Sequence, residues 1–567
     1  MASLMAKTVR GHTYWQIVEC RRINGKPRPI VLAHLGKAGD LLRRLQQLNR
    51  PYTALIRDFG AVAALWDIAQ DLGLHALLQQ HTPKRRQGHA VADYLLLAAL
   101  SRALRPCPKT QLAQWYKGTV LPRLLPIPAK HLSSQRFWDH FDYLDADTLQ
   151  RIEEALSLRL AQHYRLDLKA LFFDATNFDT YIDSQTTARL PQRGHAKSHR
   201  ADLRIVGLAL MVSADFHIPL FWQVHPGNQP DSVTFAKVLP TLARRHRQLL
   251  AGLDQHITLV FDKGNNSEAN LKALGKTPYH LIGSLVPSQH EDLLAVPLSR
   301  FRRLPARFGK TWVHRTCKEV YGRSWTVVIT RSARLLAGQV RGIRQHLSKR
   351  LRRLAELQRK LAASQEPDYR GKPYTRASLE KHLGELMRGQ YLSAILKATV
   401  QEDQGRLSLA YGVDRQAFQE LRKRVLGKRI LFTDNASWTD EEIVSGYRGQ
   451  HHVERAFRDL KDPTLVQFRP IFHWTDSKIR VHALCCVLAL TLLGLLHRRV
   501  VQAGVEISRS RLLDELKQVR AVTNLYKAEG SEPRGRGRPR AETVLSKTSA
   551  LQKQLCDILG LQQYLPS

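Results

Sequence analysis

The chain is expected to fold as an α/β protein whose mixed sheet is interrupted by an inserted β/helical domain and preceded by a mainly helical region. Three observations predict this. Between Lys169 and Val286 the runs follow as strand, strand, strand, helix, strand, helix, strand. From about residue 287 to 428 that order is broken by further strands and long helices. Ahead of it, from about Gly60 to His163, apolar residues recur at helical spacing.

In chain order, "YWQIVECRRINGKPRPIVLAHLG" places Asn24-Gly25 between two strand-like runs, a type I′ hairpin signal, so residues 1–50 are expected to form a small β element. Residues 51–168 read as helices, with Ser133 or Ser134 as an N-cap. They suit either a helix-turn-helix reader of DNA or a scaffolding bundle. Residues 169–286 give "ALFFDAT", "LRIVGLALMVS" and "IPLFWQVHPG", then the helix "DSVTFAKVLPTLARRHRQLL", the strand "HITLVFDKG", the helix "SEANLKALG" and the strand "YHLIGSLV". A three-strand meander followed by alternating helix and strand matches a ribonuclease H-like core. In the insertion, residues 287–428, Leu347, Leu351, Leu354 and Leu361 repeat at near-heptad spacing along a helix whose other face is basic. That face is either a DNA surface or a solvated one. Residues 429–500 resume the core with "KRILFTDN" and an apolar helix after Ile479, and 501–567 read as a basic tail.

Lys plus Arg number 88 against 49 Asp plus Glu, a net charge of +39. A polyanion is the expected partner, since neutralising phosphates releases condensed counterions. A ribosome-associated or merely solubilised basic protein shares that charge. The six cysteines show neither a disulfide framework nor zinc-ligand spacing, which fits a reducing cytoplasm. The run "ALCCVLALTLLGLL" has 14 residues where a membrane span needs roughly 20, so a buried core helix and no membrane are expected. The N-terminus lacks the apolar segment of a secretory signal.

Three carboxylates stand where a metal site can form. Asp174 falls inside the first apolar strand, where burial is costly unless a cation or hydrogen bonds compensate. Asp262 closes the strand "ITLVFDKG". Glu454 lies in "YRGQHHVERAFRDLK", which reads as one helix. On it Tyr447, Gln450, Glu454 and Lys461 share a face beside an apolar stripe of Val453, Phe457 and Leu460. Taken singly, these acids are a buried structural Asp, a turn-capping Asp and an ion-pair partner of Arg458. Together they point to a cation site on a DNA-binding chain.

The chain resembles a DDE transposase of a bacterial insertion sequence, in the insertion-sequence-four superfamily, whose last acid lies in a Tyr-x2-Arg-x3-Glu-x6-Lys signature. Here the residues are Tyr447, Gln450, Glu454 and Lys461, a departure at the Arg; Arg448 and Arg455 lie nearby in a different helical phase. "GHAKSHRADLRIVGLAL", "HPGNQPDSVTF" and "RPIFHWTDSKIRVHALCCVLAL" resemble one branch of these enzymes. The resemblance implies that Asp174, Asp262 and Glu454 are catalytic and hold two Mg2+ or Mn2+ ions. It further implies that Tyr447, Lys461 and Gln450 position DNA, and that a homodimer pairs terminal inverted repeats before joining them to target DNA in the cytoplasm, at the nucleoid. A structure-selective nuclease and a non-catalytic DNA-binding descendant are the alternatives. The gap from Asp262 to Glu454 is 192 residues, against 88 between the aspartates, as an insertion there requires.

Near the end, "EGSEPRGRGRPRAE" carries Arg536-Gly537-Arg538-Pro539, similar to the core of an AT-hook; an ordinary basic linker is the alternative. In a hook, Gly and Pro keep the backbone thin enough for a narrow minor groove, where arginines meet enhanced negative potential. Replacing Arg536 and Arg538 by Ala is therefore expected to weaken binding to A·T-rich duplexes more than to G·C-rich ones. Equal losses in a titration of both duplexes leave only a linker.

Overall fold

The computed structural model describes residues 2–23, 26–48, 51–84, 88–183, 185–249, 256–526 and 540–565. The chain divides into two units, one of Glu153–Arg458 with Arg469–Trp474, the other of Met1–Ile152, Asp459–Phe468 and Thr475–Ser567. The Asn24-Gly25 turn and the Arg536 and Arg538 pair lie outside the described residues.

The first of these units is built on a mixed sheet. Ala170–Thr180, Arg204–Ser213 and Pro219–Pro226 form an antiparallel meander in which Asp174 stands opposite Leu210. Thr258–Val260 lies parallel to the first strand on its free side, and His280–Leu285 lies parallel beside that. Across the sheet the order is third, second, first, fourth, fifth. Parallel neighbours need crossovers, and the two predicted helices supply them. Asp231–Leu249 leads from the third strand to the fourth, and Glu268–Leu274 from the fourth to the fifth. Ser267 caps the shorter one, its Oγ accepting from the Asn270 amide at 3.1 Å.

Beyond the fifth strand the sheet continues, antiparallel, through Lys428–Thr433, Arg323–Ser332, Thr311–Val320 and the short Arg302–Arg303. The insertion is thus partly continuous with the core sheet, which the sequence order does not reveal. An open fifth strand would leave a row of unpaired backbone groups, and Lys428–Thr433 covers it. The rest of the insertion has its own core. Along the helix Ala333–Ser364, Leu347, Leu354 and Leu361 are buried, together with Leu379 and Leu383 of Arg376–Met387 and Leu396 and Leu409 of a β-hairpin. The leucine stripe packs, and Arg341, Arg344, Arg352, Arg353 and Arg359 are exposed on the remaining surface.

The second unit joins N-terminal helices to the C-terminal residues. Ser133 caps Ser134–Phe141 as predicted, its side chain accepting from the Arg136 amide at 3.3 Å. The apolar helix is longer than its 14-residue run: Asp476–Gln502 has 27 residues, enough by length and composition to cross a bilayer. It is buried almost throughout, packing against Val91–Leu104 and Gly60–Asp71. The expected basic tail is largely folded. Arg509–Gln518 and Ala550–Ile558 are helices whose Leu512, Leu513, Leu516 and Leu555 are buried, and Arg520–Tyr526 pairs with Arg540–Leu545 and with Thr53–Asp58. Those leucines explain the difference, because the basic composition masks an apolar face at helical spacing.

Behind the meander, Arg245 and Glu153 form a fully buried ion pair with Nη2 to Oε2 at 2.5 Å, and Arg245 Nη1 also donates to the Leu220 carbonyl at 3.1 Å. Burial pushes the Glu153 carboxyl up, while Arg245 pulls it down. Arg245→Met is expected to destabilise the protein by about 3–5 kcal/mol in denaturant unfolding at pH 8, because a buried carboxylate loses its counterion. The loss is expected to shrink as the pH falls, because protonation of Glu153 removes the uncompensated charge; a pH-independent loss contradicts the assignment.

Candidate active site

The register of the two parallel strands sets the geometry. Phe172 pairs with Val260, so Asp174 and Asp262 each stand two residues further on, just past the end of the parallel pairing and on the same face. Both are half-buried. Asp174 Oδ1 accepts from the Ala175 amide at 2.8 Å, and Asp262 Oδ1 accepts from that of Lys263 at 2.8 Å. Burial, and then the charges of Asp231 and Asp262, push the Asp174 carboxyl up to about 6, against the pull of Lys197 and the Ala175 amide.

Two of those neighbours are not singled out by the sequence. Asp231 opens the helix Asp231–Leu249, and a Cβ placed on Gly264 would lie 3.5 Å from its Oδ2, which sets Asp231 over the turn after Asp262. Lys197 comes from the loop "GHAKSHR". Its Nζ donates to the Ala175 carbonyl at 2.8 Å, and its amide donates to Asn177 Oδ1 at 3.0 Å, so the loop is pinned along the Asp174 strand. Both residues lie inside motifs that carry the family resemblance. An acid in a first helical turn and a lysine in a basic loop are nonetheless ordinary features of a chain charged at +39.

The segment around Glu454 corrects the single-helix expectation. Asp440–Arg448 and His451–Lys461 are separate helices, broken at Gly449-Gln450, so Tyr447, Gln450, Glu454 and Lys461 do not line one continuous face. Close packing accounts for the break. A Cβ on Gly449 would lie 2.3 Å from Phe172 Cζ, so only glycine lets the backbone approach the first strand this closely. Tyr447, at the end of the first helix, is buried, with its hydroxyl 2.9 Å from Ser284 Oγ and 3.3 Å from Asp262 Oδ1. Burial and the Asp262 charge push it up to about 12. Gln450 turns inward, its Nε2 donating to the Phe173 carbonyl at 3.2 Å, while its buried Oε1 has no hydrogen-bond partner among the described residues. Glu454, in the first turn of the second helix, is exposed, and its carboxylate has no ion-pair or hydrogen-bond partner among the described residues, Arg458 included. Val453, Phe457 and Leu460 are buried as predicted. Lys461 ends the same helix, in the other unit.

The structure therefore brings Asp174, Asp262 and Tyr447 together and adds Asp231, Lys197 and Ser284. Among the described residues no three His, Cys, Asp or Glu side chains converge as a preformed metal cage. The donor chemistry still suits a hard divalent cation. Asp174 and Asp262 offer carboxylate oxygens alone, and a cation beside Asp174 would favour its ionised form against the burial that keeps its proton on.

No protein-family model and no curated protein matches the chain. Among solved structures, a cryo-EM structure of piggyBac transposase in a synaptic complex with hairpin DNA is similar over 89% of this chain and 85% of that one, at 10% identity and a TM-score of 0.39. A likeness at that level carries no argument about function.

The raised Asp174 carboxyl has a consequence for stability. The folded protein holds that proton up to about pH 6, whereas the unfolded chain releases it near 3.8, so the folded state loses stability as pH rises through that window. Asp174→Asn is expected to raise the thermal unfolding midpoint at pH 7–8, by at most about 3 kcal/mol in stability. The gain should fade as pH drops toward 4. A variant less stable than wild type at neutral pH contradicts the site as described.

Proposed function

We propose that this chain is a DDE-type transposase that cuts DNA at the ends of an insertion sequence and joins them to target DNA. The observation that carries the reading is the register match of Asp174 and Asp262 on adjacent parallel strands in a sheet ordered third, second, first, fourth, fifth. We read that order as ribonuclease H-like. The net charge of +39 supports a DNA substrate, and the motifs that resemble the insertion-sequence-four superfamily support the family.

In this reading Asp174, Asp262 and Glu454 would hold two Mg2+ or Mn2+ ions. Bound there, such ions would supply activation of the attacking oxygen and stabilisation of the leaving one. Tyr447 holds the Asp262 carboxylate from behind, and Lys197 keeps a positive charge beside Asp174. Cleavage forms a bond from water oxygen to the scissile phosphorus and breaks the bond to the 3′ oxygen, leaving a 3′-hydroxyl at the element end. In joining, that oxygen bonds to a target phosphorus and displaces the target's own 3′ oxygen, so no oxidant or cosubstrate is needed. Glu454 stands on exposed helix surface where DNA can approach. Paired ends imply a homodimer acting in the cytoplasm.

Asp174→Asn, Asp262→Asn and Glu454→Gln are each expected to abolish cleavage of end DNA in Mg2+ while DNA binding falls less than about twofold, because affinity comes from the basic surface. A variant that still cleaves at near wild-type rate removes that residue from the site. Cleavage without joining in a strand-transfer assay indicates a nuclease, and binding without either indicates a non-catalytic DNA-binding protein.

A further inference from the structure

A cavity of about 830 Å³ opens beside Tyr447, away from the acids. Its wall carries five cationic side chains, Arg307, Lys310, Arg334, Arg429 and Arg448. Arg307 pairs with Glu441 at 2.5 Å; the other four have no carboxylate partner among the described residues. Arg448 is fixed by the Thr311 hydroxyl at 2.8 Å and the Phe308 carbonyl at 3.3 Å, and lies over the Phe308 ring. Burial, and then the charges of Arg429 and Arg334, hold its guanidinium below its usual value, so these three repel one another. Cations gathered in a concavity where only one of the five has a carboxylate partner among the described residues are a cost to the free protein that an anion removes.

Tyr447 ties the cavity to the acids. Arg429, opposite Thr330 on the sheet, lies over the Tyr447 ring at 5.7 Å from its centroid, while the hydroxyl at the far end of that ring contacts Asp262. An anion held by Arg429 and the Asp262 carboxylate are thus separated by one side chain. The volume falls in the range of small-molecule pockets, which admits a short single-stranded segment and excludes a duplex.

We propose that this cavity binds the phosphates of a single DNA strand that leaves the duplex next to the scissile position, with Arg334, Arg429, Arg448 and Lys310 as phosphate contacts. This deepens the proposed function and rests on it. The side chains would make phosphate contacts that fix the register of the strand without reading its sequence.

The test is fluorescence anisotropy with the full chain in EDTA, using a duplex with a single-stranded extension, the same duplex blunt, and inorganic pyrophosphate as competitor. Arg334→Gln combined with Arg429→Gln is expected to weaken binding of the extended duplex on the order of tenfold. The salt slope should fall by about 1.4, roughly 0.7 for each lost single-strand contact, while blunt duplex binding stays within about twofold. Lys310→Gln, on the loop and away from Tyr447, should show the same selectivity at half the slope change, which guards against disturbance of the Tyr447 ring. Equal losses on both duplexes, or no loss, overturn the proposal. So do variants that no longer bind pyrophosphate yet keep the extended duplex, which would mark a small-anion site. A wild-type chain that binds neither duplex removes the proposed function itself, whereas wild-type binding with indifferent variants removes only this pocket.

Discussion

The constraint on which the site depends is the burial of one carboxyl inside a sheet strand beside a second that the parallel pairing holds next to it. Asp174 and Asp262 cannot separate, because the pairing of Phe172 with Val260 fixes their register. Asp231 adds a third negative charge from the start of the following helix. Burial, with smaller contributions from Asp231 and Asp262, outweighs the pull of Lys197 and the Ala175 amide, so Asp174 keeps its proton well into the range where an ordinary Asp is ionised. The fold thus maintains a desolvation cost at Asp174 that Lys197 relieves only in part, which is the situation in which perturbed carboxyls mark functional sites.

Packing around the acids transmits that arrangement to the rest of the unit. The approach of Gly449 to Phe172 draws the Glu454 segment onto the Asp174 strand and interrupts its helical path. The interruption buries Tyr447 against Asp262 and Ser284 and leaves Glu454 on the next helix, exposed. On its other side the Tyr447 ring meets Arg429, a residue of the strand that extends the core sheet into the insertion. One aromatic side chain therefore separates a carboxylate-rich surface from an arginine-rich one.

Much of this was legible in the sequence, and the remainder was hidden for identifiable reasons. The strand order and both aspartates followed from apolar runs and their ends, because strand burial and crossover rules leave few arrangements. The leucine stripe of Ala333–Ser364 followed from period alone. The break at Gly449-Gln450 did not, since helical spacing says nothing of a ring waiting 2.3 Å from where a Cβ would lie. Lys197, Asp231 and Arg429 were equally silent: each is an unremarkable charge locally and acquires a role only through residues far along the chain. The folding of the residues after 501 was obscured by their basic composition, although Leu512, Leu513 and Leu516 carry the pattern of a buried helix face.

Calorimetry of Mn2+ binding to the intact chain tests the central claim most directly, in buffers that differ in ionisation enthalpy. If a cation takes the place of the proton on Asp174, binding at pH 6 is expected to release about half a proton per chain, since that carboxyl is then half ionised. The release should fall toward zero at pH 8 and vanish with binding in Asp174→Asn. Binding with no proton release at pH 6, or undiminished binding in that variant, would contradict the account.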